Sequence, residues 1–475
     1  MKLFRDIRGV TCDSRKVKPG FAFVAIQGLK RDGHEYIEDA LARGASVIIT
    51  EKPIDLSVDV PVQQVPDGRI ALAELAAYIY DYPSRFLLTI GVTGTNGKTT
   101  STFLLHHLFN KNGIGCGLIG TVDIDTGLKT RKAQLTTPDA VELQKYLREM
   151  VDANLKAVSM EVSSHGIELK RTYGIDFDLT IFTNVTRDHF DFHKNFEHYV
   201  RIKKSLFEQL KDNAIALING DDPHANFISK DIKAQVVTYG FKKKNMISAE
   251  NIRQKNLKTY YDLVVRNSIQ TRYAKIEPMR IPIEIKLPGK HNVYNTLGAC
   301  GAGLLLGLTP KQVQNISTFT GVWRRFQIIY DGDFTVIDDC AHNPGSYTAV
   351  FETVQNLTYK KLYIINAIRG NRGVKINQDN ARIIAGWVKK LPNVKLMITN
   401  CAELVKEDDL VHPEEEEIFL KTLKEQGIKF EHNPELLPYF KKVLKMVESG
   451  DIILLLGAHA MDEAGKLILE EIYRT

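Results

Sequence analysis

The 475-residue chain has only five cysteines, and no two of them form a Cys-x-x-Cys pair. Cys12, Cys116, Cys300, Cys340 and Cys401 are scattered and odd in number, which argues against a zinc site or a disulfide framework and for a reducing compartment. No run of about 18 apolar residues occurs, so no membrane span is expected. The opening stretch MKLFRDIRGVTCDSRK carries charges throughout and lacks the apolar centre of a secretion signal. Internal repeats are absent, and the one biased tract, PEEEE at 413–417, reads as a solvated helix start. A strong excess of charge is missing too. A formal net charge of +6 suits an anionic small-molecule substrate and is too weak to argue for nucleic acid. The expectation is a cytoplasmic protein with no nucleic-acid or membrane partner, taken as a monomer.

The hydrophobic content of 44% is ample for well-packed cores, and a chain of this length suits about two to four domains. Three segments differ in pattern. Residues 1–87 read as a small α/β unit, with FAFVAIQG and SVIITE as strands around the helix HEYIEDALARGA. Residues 88–320 alternate apolar strands (LLTIGV, IGCGLIG, LKAVSMEV, FDLTIFTN, NAIALIN) with helices, as in a mostly parallel sheet covered on both faces. Within them 241–290 is more polar and β-rich, expected as a hairpin excursion. Residues 321–475 repeat the alternation (FTVIDD, KKLYIIN, VKLMITN, DIILLLG) and read as a further doubly wound, Rossmann-like unit. The expected fold is therefore α/β in three domains, the central one doubly wound around a phosphate-binding loop.

That loop is GVTGTNGKTT, set between the strand LLTIGV and a helix with Leu104/Leu108 and Leu105/Phe109 at i, i+4 spacing. Gly94 and Gly97 let backbone N–H groups converge on phosphate oxygens, and the helix N-terminus adds partial positive charge. Lys98 can neutralise the outer phosphates, and the Thr99 hydroxyl can ligate Mg²⁺. A nucleoside triphosphate site follows. Two further strand ends face the same crevice. AVSMEVSSHG places Glu161 where a phosphate-bound hard cation wants a carboxylate, and IFTNVTRDHFDFH supplies Asn184, Asp188, His189 and Asp191. Taken singly, Glu161 could be a surface carboxylate and His189 a structural histidine.

In order along the chain, CDSRKVKPGFAFVAIQGLKRDGHEYIEDALARGA, GVTGTNGKTT, TTPDA, MEVSSHGIELKR, TNVTRDHFDFH, YVRIKKSLF, INGDDP, HNVYNTLGA, GVWRRF and DDCAHNP resemble the ATP-dependent Mur ligase family. The likeness is greatest to the UDP-N-acetylmuramoyl-tripeptide synthetases (MurE type), which extend a UDP-N-acetylmuramoyl-dipeptide. The resemblance implies a uridine-nucleotide domain, a central ATP domain and a third domain binding the incoming amino acid. It implies peptidoglycan precursor synthesis, with ATP and Mg²⁺, through an acyl phosphate attacked by an amine. Gly94, Thr95, Asn96, Gly97, Lys98, Thr99 and Thr100 would hold phosphates; Asn292 and Asn295 would lie near the base, Arg325 over the phosphates and Asp339 at the ribose. Thr99, Glu161, His189 and a carbamoylated Lys203 would serve the metal, with Lys98, Glu161, His189 and Lys203 the catalytic set. Tyr199, Lys203 and Phe207 share a helix face, so Lys203 is expected to point inward and Lys204 to be the solvated neighbour. The peptide-bearing substrate would meet Ser14, Arg15, Thr136, Thr137, Ser163 and Arg171.

The departures lie where the amino acid should be chosen. Cys401-Ala402-Glu403-Leu404 stands in place of the Asp-Asn-Pro-Arg motif of diaminopimelate-adding members, and the late Gly-x-Gly-His-Glu motif is replaced by LLLLGAHAMDEAGK. Leu169 stands where a glutamine is usual and Cys340 where a tyrosine is usual. Leu404 cannot grip a distal carboxylate, while Glu403 would attract an ammonium, so the expectation is that diaminopimelate is disfavoured, unless a neighbour such as Lys406 restores the contact. Three other readings remain: a ligase for a cyanophycin-, polyglutamate- or folate-like carboxylate, a non-catalytic nucleotide-binding paralogue, and a plain kinase or ATPase. The uridine-nucleotide segment argues against the first, the joint presence of Lys98, Thr99, Glu161, His189 and Lys203 against the second, and the flanking domains against the third.

Overall fold

The computed structural model describes residues 7–28, 31–54, 59–186, 195–255 and 257–474. They form three principal sheets, each drawn from one stretch of chain. The first is a four-stranded parallel sheet of Gly9–Thr11, Phe21–Ala25, Ala45–Thr50 and Val62–Gln64. Alternation along its strands sends Ala22, Val24 and Ile49 to one face, against Leu72, Leu75 and Ala76 of the Gly68–Ile79 helix. Phe23, Ala25 and Ile48 go to the other, against Ile37 and Ala40 of the short Ile37–Ala42 helix.

The second sheet has eleven strands. Leu88–Thr93 runs through its middle, parallel to Leu179–Phe182 on one side and Ala157–Glu161 on the other. Strand side chains again divide between two cores. Ile90 and Val92 pack under the Lys98–Lys111 and Lys290–Leu305 helices, and Val158 and Met160 under Ala140–Asp152 and Phe196–Glu208. Burial on both faces explains why these strands read as unbroken apolar runs. The stretch 241–290 differs from expectation: it extends the main sheet instead of leaving it. Ile247–Lys255 pairs parallel with Gln235–Gly240 and antiparallel with Lys258–Val265, which pairs in turn with Met279–Ile285. The cause is the parallel pairing of Ile247–Lys255 with Gln235–Gly240; one-sided alternation then places Ile281, Ile283 and Ile285 in the core and leaves Arg280 and Pro282 exposed.

The third sheet has six strands in the spatial order Gln327–Asp331, Thr335–Asp339, Ile452–Leu456, Leu362–Ala367, Val394–Thr399, Phe430–His432, all parallel except the first. The inner strand that comes last in sequence, Ile452–Leu456, lies between two earlier ones, which creates the switch point where such sheets bind ligands. The carboxyl ends of the second and third sheets open onto one cleft. Glu161, Asn184 and Asn219 come from one sheet, and Asp339, Arg369 and Ala458 from the other. The helix Pro413–Glu425 begins in the PEEEE tract, but Glu415 is only 1% exposed and therefore not solvated as expected. Among the described residues no helix is long and apolar enough to cross a membrane.

Candidate active site

The glycine loop leaves the Leu88–Thr93 strand under steric constraint. Gly94 has φ +154°, and a Cβ there would lie 1.9 Å from Thr183 Oγ1. Gly97 has φ +86°, and a Cβ there would lie 2.4 Å from Asn295 Oδ1. No side chain fits at either position. The neighbouring strand end grips the loop: Asn184 O accepts from Thr95 N–H at 2.8 Å, Asn184 Oδ1 from Asn96 N–H at 3.0 Å, and Thr183 Oγ1 donates to Asn96 O at 2.7 Å. The next helix starts at Lys98 with Gly97 as its cap, so its first N–H groups open toward the cleft.

Lys98 Nζ donates to Gly94 O and Thr95 O, both at 2.9 Å. Lys203 is 1% exposed and its Nζ donates to the same Gly94 O at 3.0 Å, beside the Tyr199 ring. It points inward as expected; Lys204 is not the solvated neighbour expected, because it lies half-buried over the Phe227 ring and reaches Glu208. Glu161 is fully buried and accepts from Thr99 Oγ1 at 3.0 Å, Thr121 N–H at 2.7 Å and Thr121 Oγ1 at 3.1 Å. A hydroxyl and a carboxylate in contact at the foot of a phosphate loop are hard oxygen donors of the kind Mg²⁺ prefers. Asp188, His189 and Asp191 lie outside the described residues.

The cleft has a volume of about 550 Å³ and is lined from the central domain by Thr95–Thr100, Thr121, Thr136, Glu161, Asn292 and Asn295. Asn292 Nδ2 donates to Pro288 O at 2.8 Å, and the nearby Tyr294 ring stacks on Phe241 at 3.8 Å. Burial pushes His291 down to about 4, so this lining histidine is neutral at ordinary pH. From the opposite side come Arg325, Asp339, Cys340, Arg369, Arg372, Asp409 and His459. The last four escaped the sequence reading together with Thr121. Their positions depend on loop geometry: Glu415, from the PEEEE tract, accepts from the N–H groups of Asn371, Arg372 and Gly373 at 2.9, 2.8 and 2.5 Å.

A second cavity, of about 520 Å³, lies against the N-terminal sheet. Ser14, Arg15 and Arg171 line it, as do Arg31 and Arg69, which no local pattern had singled out. The guanidinium of Arg15 is held by Asp13 through two 2.8 Å contacts. Thr137 is fully buried, so its hydroxyl is structural: it donates to Glu161 O at 2.9 Å and lies 3.1 Å from Ser163 Oγ. Arg171 Nη1 donates to Thr137 O at 2.9 Å, which ties the wall of the second cavity to the strand end carrying Glu161. Ser163 itself caps the Ser164–Glu168 helix.

The expectation for Glu403 is overturned. Its Oε1 accepts from the N–H groups of Leu436 and Leu437 at 2.7 and 3.0 Å, so it caps the Leu437–Leu444 helix and is not turned to a ligand. Leu404 packs into the adjoining core, and Cys401 is buried with φ +52° against Met461. Glu403→Ala is therefore expected to cost about 1 kcal/mol of stability, the usual value of a helix cap, in denaturant unfolding, with no change in any substrate KM.

Asp339 accepts from Phe326 N–H at 2.6 Å, and burial pushes its carboxyl up to about 7 against the opposing pull of the Arg325 guanidinium. An unfolded aspartate titrates near 3.9, so between about pH 4 and 7 the folded state keeps a proton that the unfolded state has lost. Stability from this group is complete at the acidic end and falls as pH rises through that window. Asp339→Asn keeps an acceptor for Phe326. Ligand-free thermal melts should show it more stable than the wild type at about pH 8 and no more stable at about pH 4.

Three family models cover nearly the whole chain: the Mur ligase family catalytic domain at residues 6–80, the Mur ligase middle domain at 92–303 and the Mur ligase glutamate ligase domain at 324–459. The UDP-N-acetylmuramoyl-L-alanyl-D-glutamate–2,6-diaminopimelate ligase of Clostridium botulinum is 35% identical over 423 residues, covering 86% of this chain and 85% of that one. A solved UDP-N-acetylmuramoyl-L-alanyl-D-glutamate–2,6-diaminopimelate ligase superposes with a TM-score of 0.68 at 23% identity, covering 98% of this chain and 95% of that one. The MurF ligase of Thermotoga maritima, in complex with ADP, gives 0.65 at 19% identity and covers both chains completely.

Proposed function

The chain belongs to the Mur ligase family, and from that premise we propose that it joins an amino acid to the free carboxylate of a UDP-N-acetylmuramoyl dipeptide at the expense of ATP. The observation that carries this reading is the facing of two strand-end sets across one cleft. Lys98, Thr99 and Glu161 stand on one side, Arg325 and Asp339 on the other. The acceptor carboxylate oxygen attacks the γ-phosphorus and ADP leaves; the amine then attacks the acyl carbon and phosphate leaves. A protein running this sequence works by positioning and by stabilising charge.

In this reading Lys98 leaves the carbonyls of Gly94 and Thr95 to meet the γ-phosphate, and Arg325 covers it from the third domain. Asn292 and Asn295 flank the base, and Asp339 takes the ribose. Thr99 and Glu161 would hold Mg²⁺, which when bound neutralises phosphate charge. The N-terminal cavity, with Ser14, Arg15, Arg31, Arg69 and Arg171, suits a nucleoside diphosphate; Thr136 lines the cleft, and Ser163, beside Thr137, would meet the peptide-bearing part of the same substrate. The segmentation at about residues 87 and 320 assigns these duties to three domains.

We read Lys203 as carbamoylated. An ammonium here would share the Gly94 carbonyl with Lys98, whereas a carbamate turns a repulsive pair into an attractive one and offers an anionic oxygen to the metal side of the loop. Lys203→Ala should lose activity by about two orders of magnitude or more, and a short carboxylic acid such as acetate should partly restore it in a phosphate-release assay. Full activity without rescue would reject the assignment.

For the amino acid, the third-domain wall offers two cations, Arg369 and Arg372, and one anion, Asp409, which lies 3.7 Å from Arg372. One arginine suffices for an α-carboxylate. The second, with Asp409, complements a side chain ending in both a carboxylate and an ammonium. That is the chemistry of diaminopimelate, the amino acid in the name of the Clostridium botulinum relative, and it replaces the expectation drawn from Leu404. Phosphate release with ATP, Mg²⁺ and UDP-N-acetylmuramoyl-dipeptide should favour diaminopimelate over lysine, ornithine and alanine by about tenfold or more, the value of one charge-assisted pair. Preference for lysine would overturn the assignment of the amino acid, and no release with any amino acid would overturn the function.

A further inference from the structure

Arg324 is 1% exposed and does not line the cleft, whereas its neighbour Arg325 does. Its guanidinium is spent on three separate pieces of the third domain. Nε donates to Asp338 at 3.1 Å, Nη1 to Asp462 at 2.6 Å and to Ala458 O at 2.8 Å, and Nη2 to Gly457 O at 2.5 Å. The other oxygen of Asp462 lies 3.3 Å from His459 Nδ1. Arg324 and Phe326 both have left-handed backbones, with φ +52° and +50°. Non-glycine residues stay in that region only where surrounding contacts over-determine it. Here the contacts are the Arg324 clasp on one side and Phe326 N–H to Asp339 on the other, and Arg325 sits between them.

We infer that Arg324 is a positioning residue that locks two walls of the cleft together, the linker carrying Arg325 and the loop after Ile452–Leu456 carrying Ala458 and His459. Resting on the ligase reading above, the clasp couples the seat of the nucleotide phosphates to the wall where Ala458 and His459 line the same cleft as Arg369, Arg372 and Asp409, the residues given to the incoming amino acid. It does so without touching either ligand. A lysine keeps the charge, but its single nitrogen cannot reach acceptors spread along a guanidinium fork.

The test uses the full-length enzyme. Arg324→Lys should raise the KM for ATP and for the amino acid by about tenfold each, while the KM for the uridine substrate, bound at the other cavity, stays within about twofold. Asp462→Asn neutralises the carboxylate that Arg324 and His459 share, leaves the Asp338, Gly457 and Ala458 contacts in place, and should raise the amino-acid KM more than the ATP KM. Unmoved KM values, with kcat falling only as the folded fraction falls, would reduce Arg324 to a structural residue and overturn the inference. If Arg324→Lys does not fold, Asp462→Asn decides, and an unmoved amino-acid KM overturns the inference. A crystal structure of the folded variant closest to wild type gives a readout that needs no turnover. In Arg324→Lys the Arg325 guanidinium should have left the Cys340 side chain, which it meets in this structure, and in Asp462→Asn the His459 ring should have left residue 462. An unmoved group overturns the inference even if the wild type proves inactive as a ligase, a result that would count against the functional reading alone.

Discussion

Two lysine side chains meet at one backbone oxygen. The Gly94 carbonyl receives the ammonium of Lys98, from the helix that follows the loop, and that of Lys203, from a helix more than a hundred residues away. Like charges sharing an acceptor repel by a few kcal/mol at partly buried sites, so the arrangement calls for an anion. The loop can offer its carbonyl this way only because Gly94 adopts φ +154° with no room for a side chain. Much of the central domain follows from that point. Thr183 and Asn184 clamp the loop, Asn295 closes over Gly97, and the strand end bearing Glu161 sets the depth at which a phosphate-bound cation would rest.

The second half of the site belongs to another sheet, and electrostatics couples the two. Arg325 stands among Asp339, Cys340 and, farther off, Glu161, so its charge faces carboxylates of both domains. Burial leaves Asp339 titrating near 7 even beside that arginine. A third-domain wall of this kind is poorly satisfied alone and better satisfied once polar ligand groups arrive, which favours closure around substrate over closure on an empty cleft. The Arg324 clasp ties the linker carrying Arg325 and the loop carrying Ala458 and His459 into one wall.

The fold and the glycine loop are legible in the sequence for a common reason: both are written in short contiguous segments. A strand buried on both faces is an apolar run of five or six residues, and GVTGTNGKTT carries its glycines, cation and hydroxyl within ten. The edge of the central sheet was read less well, because Ile247–Lys255 and Met279–Ile285 alternate and could equally have formed an independent hairpin. Their attachment depends on pairing with Gln235–Gly240, a tertiary choice. Glu415 shows the same limit. In a run of four glutamates nothing marks the one whose backbone position turns it inward to hold residues 371–373.

The amino-acid wall is the extreme case. Leu404 and Glu403 stand where a motif is expected, and motif logic reads Leu404 as a lost grip on a carboxylate and Glu403 as a partner for an ammonium. The chain instead uses Glu403 to cap a helix beginning thirty-odd residues later and Leu404 to fill a core. With Glu403 Oε1 held by two N–H groups of that helix, the reading above gives recognition to side chains on other strand ends. Arg369 and Arg372 follow Leu362–Ala367, Asp409 lies beyond Val394–Thr399, and His459 follows Ile452–Leu456. Three neighbouring parallel strands thus each deliver a charge to one wall. In a doubly wound sheet the residues that act together are separated by whole helices, and no window of sequence holds them at once. Which charge selects the substrate is decided by strand order, and strand order is what local pattern does not carry.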